Sequence, residues 1–202
     1  MFIKKHGNVT KKDIRFMCMV ALGFGIASLI VSLLLPQKYR ADAQVFIIPS
    51  SGHGTDPYTA IKSTEKVAEN IVHLVKTDDF YNKVIASGVG LDTAQFDTVS
   101  VRKRRKAWQK TIDARVIFGT GIVQISAYHT DQVQAKAYAR AAANALSTRS
   151  IEYVGQFVGV KLVNNPIVSR WPARPNLVVN IVIGLLIGLL YSGVSVIRKK
   201  HT

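Results

Sequence analysis

Acidic residues are scarce in this chain: twelve Asp and Glu stand against 27 Lys and Arg in 202 residues. No compact pair of carboxylates stands out to serve as general acid and base, and no Gly-x-Ser-x-Gly elbow appears. Cysteine is scarcer still. The single Cys18 falls inside an apolar run, so the segment beyond it contains no disulfide and no thiolate metal site. His53, His73 and His129 are too scattered for a pattern such as His-Glu-x-x-His, and a Gly-x-x-x-x-Gly-Lys-Ser/Thr phosphate loop is missing. The expectation is a protein without catalytic machinery, cofactor or metal.

Apolar residues, in contrast, make up 48% of the chain and are concentrated in two stretches that lack any charge, 16–35 and 177–197. Each is long enough for a helix of roughly 20 residues, which crosses about 30 Å of hydrocarbon. The first stretch has an alternative reading as a cleaved signal peptide, with Lys4, Lys5, Lys11, Lys12 and Arg15 as its basic region and Ala41-Asp42-Ala43 as a cleavage site. Its apolar run exceeds the usual ~7 to 15 residues, and Lys38 and Arg40 intervene before that site. A retained anchor fits better. Cations close to a span favour the cytoplasmic side. Eight lie at the outer ends (the five above with Arg198, Lys199 and Lys200), against four on the inner flanks, Lys38, Arg40, Arg170 and Arg174. The predicted organisation is a cytoplasmic tail at 1–15, a span at 16–35, an extracytoplasmic domain at 36–176, a second span at 177–197 and a cytoplasmic tail at 198–202. The expected location is the cell (inner) membrane, with both termini on the cytoplasmic side.

The middle segment reads as α+β. Residues 39–48 alternate for a strand, with Tyr39, Ala41, Ala43, Val45 and Ile47 on one face. Pro49 and Ser50-Ser51-Gly52-His53-Gly54 end it, and Asp56-Pro57 starts a helix whose buried stripe is Ala60, Ile61, Thr64, Val67, Ala68, Ile71, Leu74 and Val75. Thr77-Asp78-Asp79 caps a second, short helix that Gly88 and Gly90 close. Ala114, Val116 and Phe118 alternate before Gly119-Thr120-Gly121, and Val123, Ile125 and Ala127 after it, which predicts a hairpin. Asp131 and Gln134 form a capping-box pattern ahead of an alanine-rich helix, and 158–168 returns as a strand. The first and last strands, each next to a span, are expected side by side in one mixed sheet with helices on one face.

Two further patterns bear on binding. Asn180, Gly184, Gly188 and Ser192 recur every four residues, a small or polar stripe that lets another helix approach closely, in the same chain or a neighbour. Between 101 and 110, Arg102, Lys103, Arg104, Arg105, Lys106 and Lys110 surround Trp108. In an extracytoplasmic position such a run is not a nucleic-acid site. It is read either as a solvated basic loop or as a contact for anionic polysaccharide or lipid headgroups, with Trp108 stacking on a sugar or resting at the interface.

Three segments resemble the polysaccharide co-polymerases, also called chain-length determinant or Wzz-type proteins. They are Tyr39-Arg40-Ala41-Asp42-Ala43 outside the first span, Thr120-Gly121-Ile122-Val123-Gln124-Ile125-Ser126 before the alanine-rich helix, and Pro172-Ala173-Arg174-Pro175-Asn176 opening the second span. The last is similar to the family's proline-rich segment, which runs into a glycine pair like Gly184 and Gly188; Arg174 stands where a serine is common. The resemblance implies a non-catalytic homo-oligomer in the membrane that sets the length of a capsule, exopolysaccharide or O-antigen made by a separate polymerase. It also implies that the segment marked by Pro166, Pro172 and Pro175 couples the domain to the second span. Some relatives carry or recruit a tyrosine kinase. With no phosphate loop and five residues after Ile197, a fused kinase is not expected and a separate one is left open. The alternative from another class is an extracytoplasmic sensor or adaptor acting on a cytoplasmic kinase or regulator.

Overall fold

The computed structural model describes residues 10–49, 57–97, 99–154 and 158–201. They form α1 (Lys11–Leu34), β1 (Tyr39–Pro49), α2 (Pro57–Leu74), α3 (Asp78–Ser87), α4 (Ala94–Asp97), α5 (Val101–Thr111), β2 (Ile112–Ile117), β3 (Ile122–His129), α6 (Gln132–Val154), β4 (Val158–Val168) and α7 (Leu177–His201). Two compact units result. Lys38–Ala173 is one; the residues up to Gln37 and from Arg174 onward are the other.

In the Lys38–Ala173 unit the four strands form one sheet in the order β2-β3-β1-β4. The expected neighbours β1 and β4 do pair, but every pairing is antiparallel, so the sheet is not mixed. The reason is topological. β3 and β4 run in the same direction, as a helical crossover through α6 requires, yet β1 lies between them and no parallel pair forms.

Alternation along β1 puts Ala41, Ala43, Val45 and Ile47 on the buried face, fully inaccessible, opposite Val123, Ile125 and Ala127 of β3. Against this face pack α2 and α6. α6 is rich in alanine because it is enclosed: it touches β1, β3 and β4 on one side and α3 on another, and Ala135, Ala139, Ala142, Ala143 and Tyr138 are all buried. α2 contributes Thr64, Ala68 and Ile71 to the core, followed by Val75, whereas Ile61 of the expected stripe is exposed. The side chain of Ala60, the residues 50–54 and Asp56 lie outside what is described.

Local signals account for the element ends. The Thr77 hydroxyl accepts from the Phe80 N–H at 3.2 Å, starting α3, and the Gly88 N–H donates to the Val84 carbonyl at 2.9 Å, ending it. Gly119 and Gly121 take positive φ of 75° and 65° in the β2–β3 turn. That turn begins one residue earlier than the alternation predicts, leaving Phe118 90% exposed. Asp131 caps α6 through its carboxylate, which accepts from the Val133 N–H at 2.9 Å. Gln134 does not complete the box; its amide accepts from the Asp92 N–H and donates to the Gly90 carbonyl, tying down the loop before α4. Pro166 sits on edge strand β4, where Asn165 and Pro166 both stand opposite Ala43 in a bulge. A residue without an N–H is tolerated there.

The principal departure from the sequence reading is α5. Residues 101–110 are helical rather than a loop, and Trp108 is wholly buried instead of facing sugar or membrane. Its ring packs edge-on to Tyr81 and Phe96 at 5.3 and 6.2 Å between centroids, and its indole N–H donates to the Val75 carbonyl at 2.8 Å. A buried indole needs such a partner. The one-turn α4, absent from the sequence reading, delivers Phe96 to this aromatic cluster. Replacing Trp108 with alanine should therefore lower the unfolding free energy by about 3–5 kcal/mol. Phe at this position, which keeps most of the volume but orphans the Val75 carbonyl, should cost about 1–3 kcal/mol. Denaturant unfolding of the detergent-solubilised chain measures both.

Candidate functional site

The helical unit contains two helices long and apolar enough to cross a membrane, α1 and α7. At 1.5 Å per residue the 24 residues of α1 extend about 36 Å, more than the ~30 Å of a bilayer core. Their arrangement inverts that of a soluble protein. Large apolar side chains such as Leu34, Met19 and Leu190 are 81, 73 and 72% exposed, while small and polar residues fill the seam. A Cβ on Gly184 would stand 2.8 Å from the Phe24 backbone oxygen, and one on Gly188 would stand 2.6 Å from the Ala21 Cα. Neither has room for a side chain. Asn180 donates from its side-chain amide nitrogen to the Ser32 hydroxyl at 2.8 Å, and its main-chain carbonyl accepts from the Ser28 hydroxyl at 2.7 Å. Ser192 is buried and bonds back to the Gly188 carbonyl at 2.8 Å. The stripe thus packs against α1 of the same chain, and its complement is Ala21, Gly25, Ser28 and Ser32, also small and spaced by three or four. That second stripe is visible in the sequence to anyone who looks for a partner to the first.

In the Lys38–Ala173 unit the first two resembling segments meet each other and the Pro172-Ala173 start of the third. Asp42 stands opposite Ser126 across β1 and β3, and its carboxylate accepts from the Ser126 hydroxyl at 2.6 Å while also holding the Arg40 guanidinium at 2.6 Å. These side chains lie on the face of the sheet away from the core, with Gln124, which accepts from Arg115 at 3.0 Å. Beside them the chain returns from β4. The Arg40 N–H donates to the Ser169 hydroxyl, the Ser169 N–H donates to the Arg40 carbonyl at 2.7 Å, and the Ala173 N–H donates to the Lys38 carbonyl at 2.7 Å. Pro172 is thereby held next to the start of β1. Pro166 is buried in the β4 bulge, apart from it. Pro175, which follows Arg174 through a cis bond, belongs to the helical unit, where the Asn176 side chain accepts from the Val179 N–H and caps α7.

The six-residue basic set is divided by its surroundings. Arg105 pairs with Asp78 at 2.6 Å and Arg104 lies over the Tyr81 ring at 5.1 Å, so both serve the fold. Arg102, Lys103, Lys106 and Lys110 are exposed.

No protein-family model matches the chain, and comparison with curated proteins likewise gives no match. The likeness to the polysaccharide co-polymerases rests on the three segments themselves.

A polar cluster that sequence reading missed joins α3 to α6: the Tyr153 hydroxyl donates to Asp79, and Lys83 bridges Asp79 and Glu152, which also holds Arg149. The hydrogen bond from Tyr153, aided by Lys83, holds the Asp79 carboxyl below its ordinary value. Burial and the bond to Asp79 push the Tyr153 hydroxyl up.

Two outcomes follow from these contacts. Leucine at both Gly184 and Gly188 should separate α1 from α7. With Cys18 removed and Ser32→Cys and Asn180→Cys installed, oxidation should cross-link the chain efficiently only when the glycines are kept. Stabilisation by ionised Asp79 is complete above the ordinary carboxylate pKa of about 4 and disappears as pH falls through the lowered folded value. Thermal unfolding should therefore shift downward on acidification below about pH 4, and Tyr153→Phe should reduce that shift.

Proposed function

We propose that this chain is a two-span membrane scaffold that regulates the polymerisation, chain length or export of a surface polysaccharide. In this reading α1 and α7 cross the membrane, both termini face the cytoplasm, and the Lys38–Ala173 unit works outside. The protein acts as a homo-oligomer beside a separate polymerase, and it does so by holding and spacing rather than by making or breaking bonds.

The observation that carries the reading is the convergence of the three resembling segments. Two of them, far apart in sequence, are adjacent strands joined by the Arg40–Asp42–Ser126 contacts, and the third is bonded beside the first through Ala173 and Lys38. Segments that merely shared composition with a family would have no reason to be neighbours. The helix pair supports the membrane part of the proposal: its seam is small and polar while its outer surface is apolar, the distribution that suits a lipid environment.

The experiment is the size distribution of surface polysaccharide on a gel, from cells with the protein, without it, and with Pro172 and Pro175 both changed to alanine. A shifted or lost band in the deletion strain is the expected result, with the double variant altering the distribution in the same direction. An unchanged pattern in all three strains would move the assignment to a sensor or adaptor acting on a cytoplasmic partner.

A further inference from the structure

Eighteen Lys and Arg against eleven Asp and Glu give the Lys38–Ala173 unit a net charge of +7. Six of those cations lie in the eleven residues of α5, which contains no acid. Without this helix the unit would be within one charge of neutral. The positive character of the unit is therefore local, on one element, rather than a general property of its surface.

Helical geometry sorts the six. Residues 102, 103, 106 and 110 fall within about 100° of arc and extend about 12 Å along the axis. The opposite side, with Ala107, Trp108 and Thr111, faces the core. Arg102, Lys103 and Lys106 make no ion pair or hydrogen bond among the described residues, in contrast to Arg105 with Asp78. Their placement also opposes the helix itself. The first turn of α5 carries Arg102, Lys103 and Arg104 with no acid, and Ser100 gives no side-chain cap, although the positive end of the helix dipole disfavours cations there. Folding alone gives no reason for this arrangement. An external anion does.

The buried Trp108 narrows the choice of anion. A helix that rests in a bilayer interface needs a bulky apolar face to insert, and α5 has turned its only aromatic residue inward, leaving Val101 as its sole exposed large apolar side chain. What remains outside is a row of charges without a bulky apolar anchor. We propose that Arg102, Lys103 and Lys106 form a docking surface for a linear polyanion, a polysaccharide carrying carboxylate or phosphate groups, held by charge rather than by sugar stacking. This deepens the scaffold reading above and rests on it for the kind of polymer.

The test uses the full chain in a neutral detergent, with polygalacturonate as the acidic probe, dextran as the neutral one, and vesicles with and without phosphatidylglycerol. In the Arg102→Gln, Lys103→Gln, Lys106→Gln variant, Arg104 and Arg105 are kept because they serve the fold, and an unchanged melting temperature shows that the variant is still folded. The chain should bind polygalacturonate and not dextran. Binding should weaken steeply between roughly 0.05 and 0.5 M salt, as screening shortens the reach of each charge. The triple variant should bind on the order of 10- to 100-fold more weakly, from a few-fold per cation near an anionic surface. Equal binding by variant and parent, or equal binding of dextran, overturns the proposal. So does binding to phosphatidylglycerol vesicles with none to polygalacturonate, which would make the surface a membrane contact. The readout is on purified protein. Normal, charge-dependent binding here with unaltered polysaccharide in cells would sink the scaffold reading and leave this surface standing.

Discussion

Backbone pairing along both sides of β1 commits Tyr39–Pro49 to the interior of the sheet, and most of the Lys38–Ala173 unit is arranged around that commitment. An interior strand has no free hydrogen-bonding edge, so its two neighbours must be supplied from elsewhere in the chain. The hairpin supplies β3 on one side, and the crossover through α6 returns β4 to the other. Because Ala41 and Ala43 are small, α6 lies close over the strand, and its own alanines make the approach mutual. Val45 and Ile47, farther along, complete the same buried face. The side of β1 turned away from the helices then carries the polar contacts of Arg40, Asp42 and Gln44. Alternation thus divides one strand into a packing face and an outer face that is polar at Arg40, Asp42 and Gln44 and apolar at Phe46 and Ile48.

The helical unit obeys a different constraint. In water, burying large side chains drives association; between these helices many of the large side chains point away, and glycine, alanine, serine and one asparagine line the seam, flanked by Leu185 against Gly25 and by Phe24 against Tyr191. Close approach is what such a seam offers, through dispersion contacts between backbones and hydrogen bonds such as Asn180 to Ser32. The same amino-acid class, small residues, therefore appears at both packing centres of the protein, under α6 and between α1 and α7.

Much of this was legible in the sequence because the signals were local. Alternation marked β1, β2 and β3, Thr77 and Gly88 marked the ends of α3, and the glycines at 119 and 121 marked the hairpin. The spacing of Asn180, Gly184, Gly188 and Ser192 marked a contact face, though not which helix it met. What was not legible depended on contacts between distant residues. α5 shows almost no apolar periodicity, since its buried side consists of Ala107, Trp108 and Thr111, and its cations dominate the composition; only the pocket formed by Val75, Tyr81 and Phe96 makes it a core helix. α6 continues to Val154, beyond the alanine pattern that ends at Leu146, and there Tyr153 and Glu152 join it to α3 through Asp79 and Lys83. Antiparallel pairing throughout the sheet followed from which strand lay between β3 and β4, and hydropathy carries no information on that.

The bulge at Asn165 and Pro166 has a consequence for the open border of the sheet. β4 is an outer strand, and an outer strand with regular unpaired N–H and C=O groups invites a stranger's strand to extend the sheet. Here the ladder is offset at two points, and one residue has no hydrogen to donate. Along that stretch the border is a poor template for strand addition, which guards the sheet against growth into a fibril.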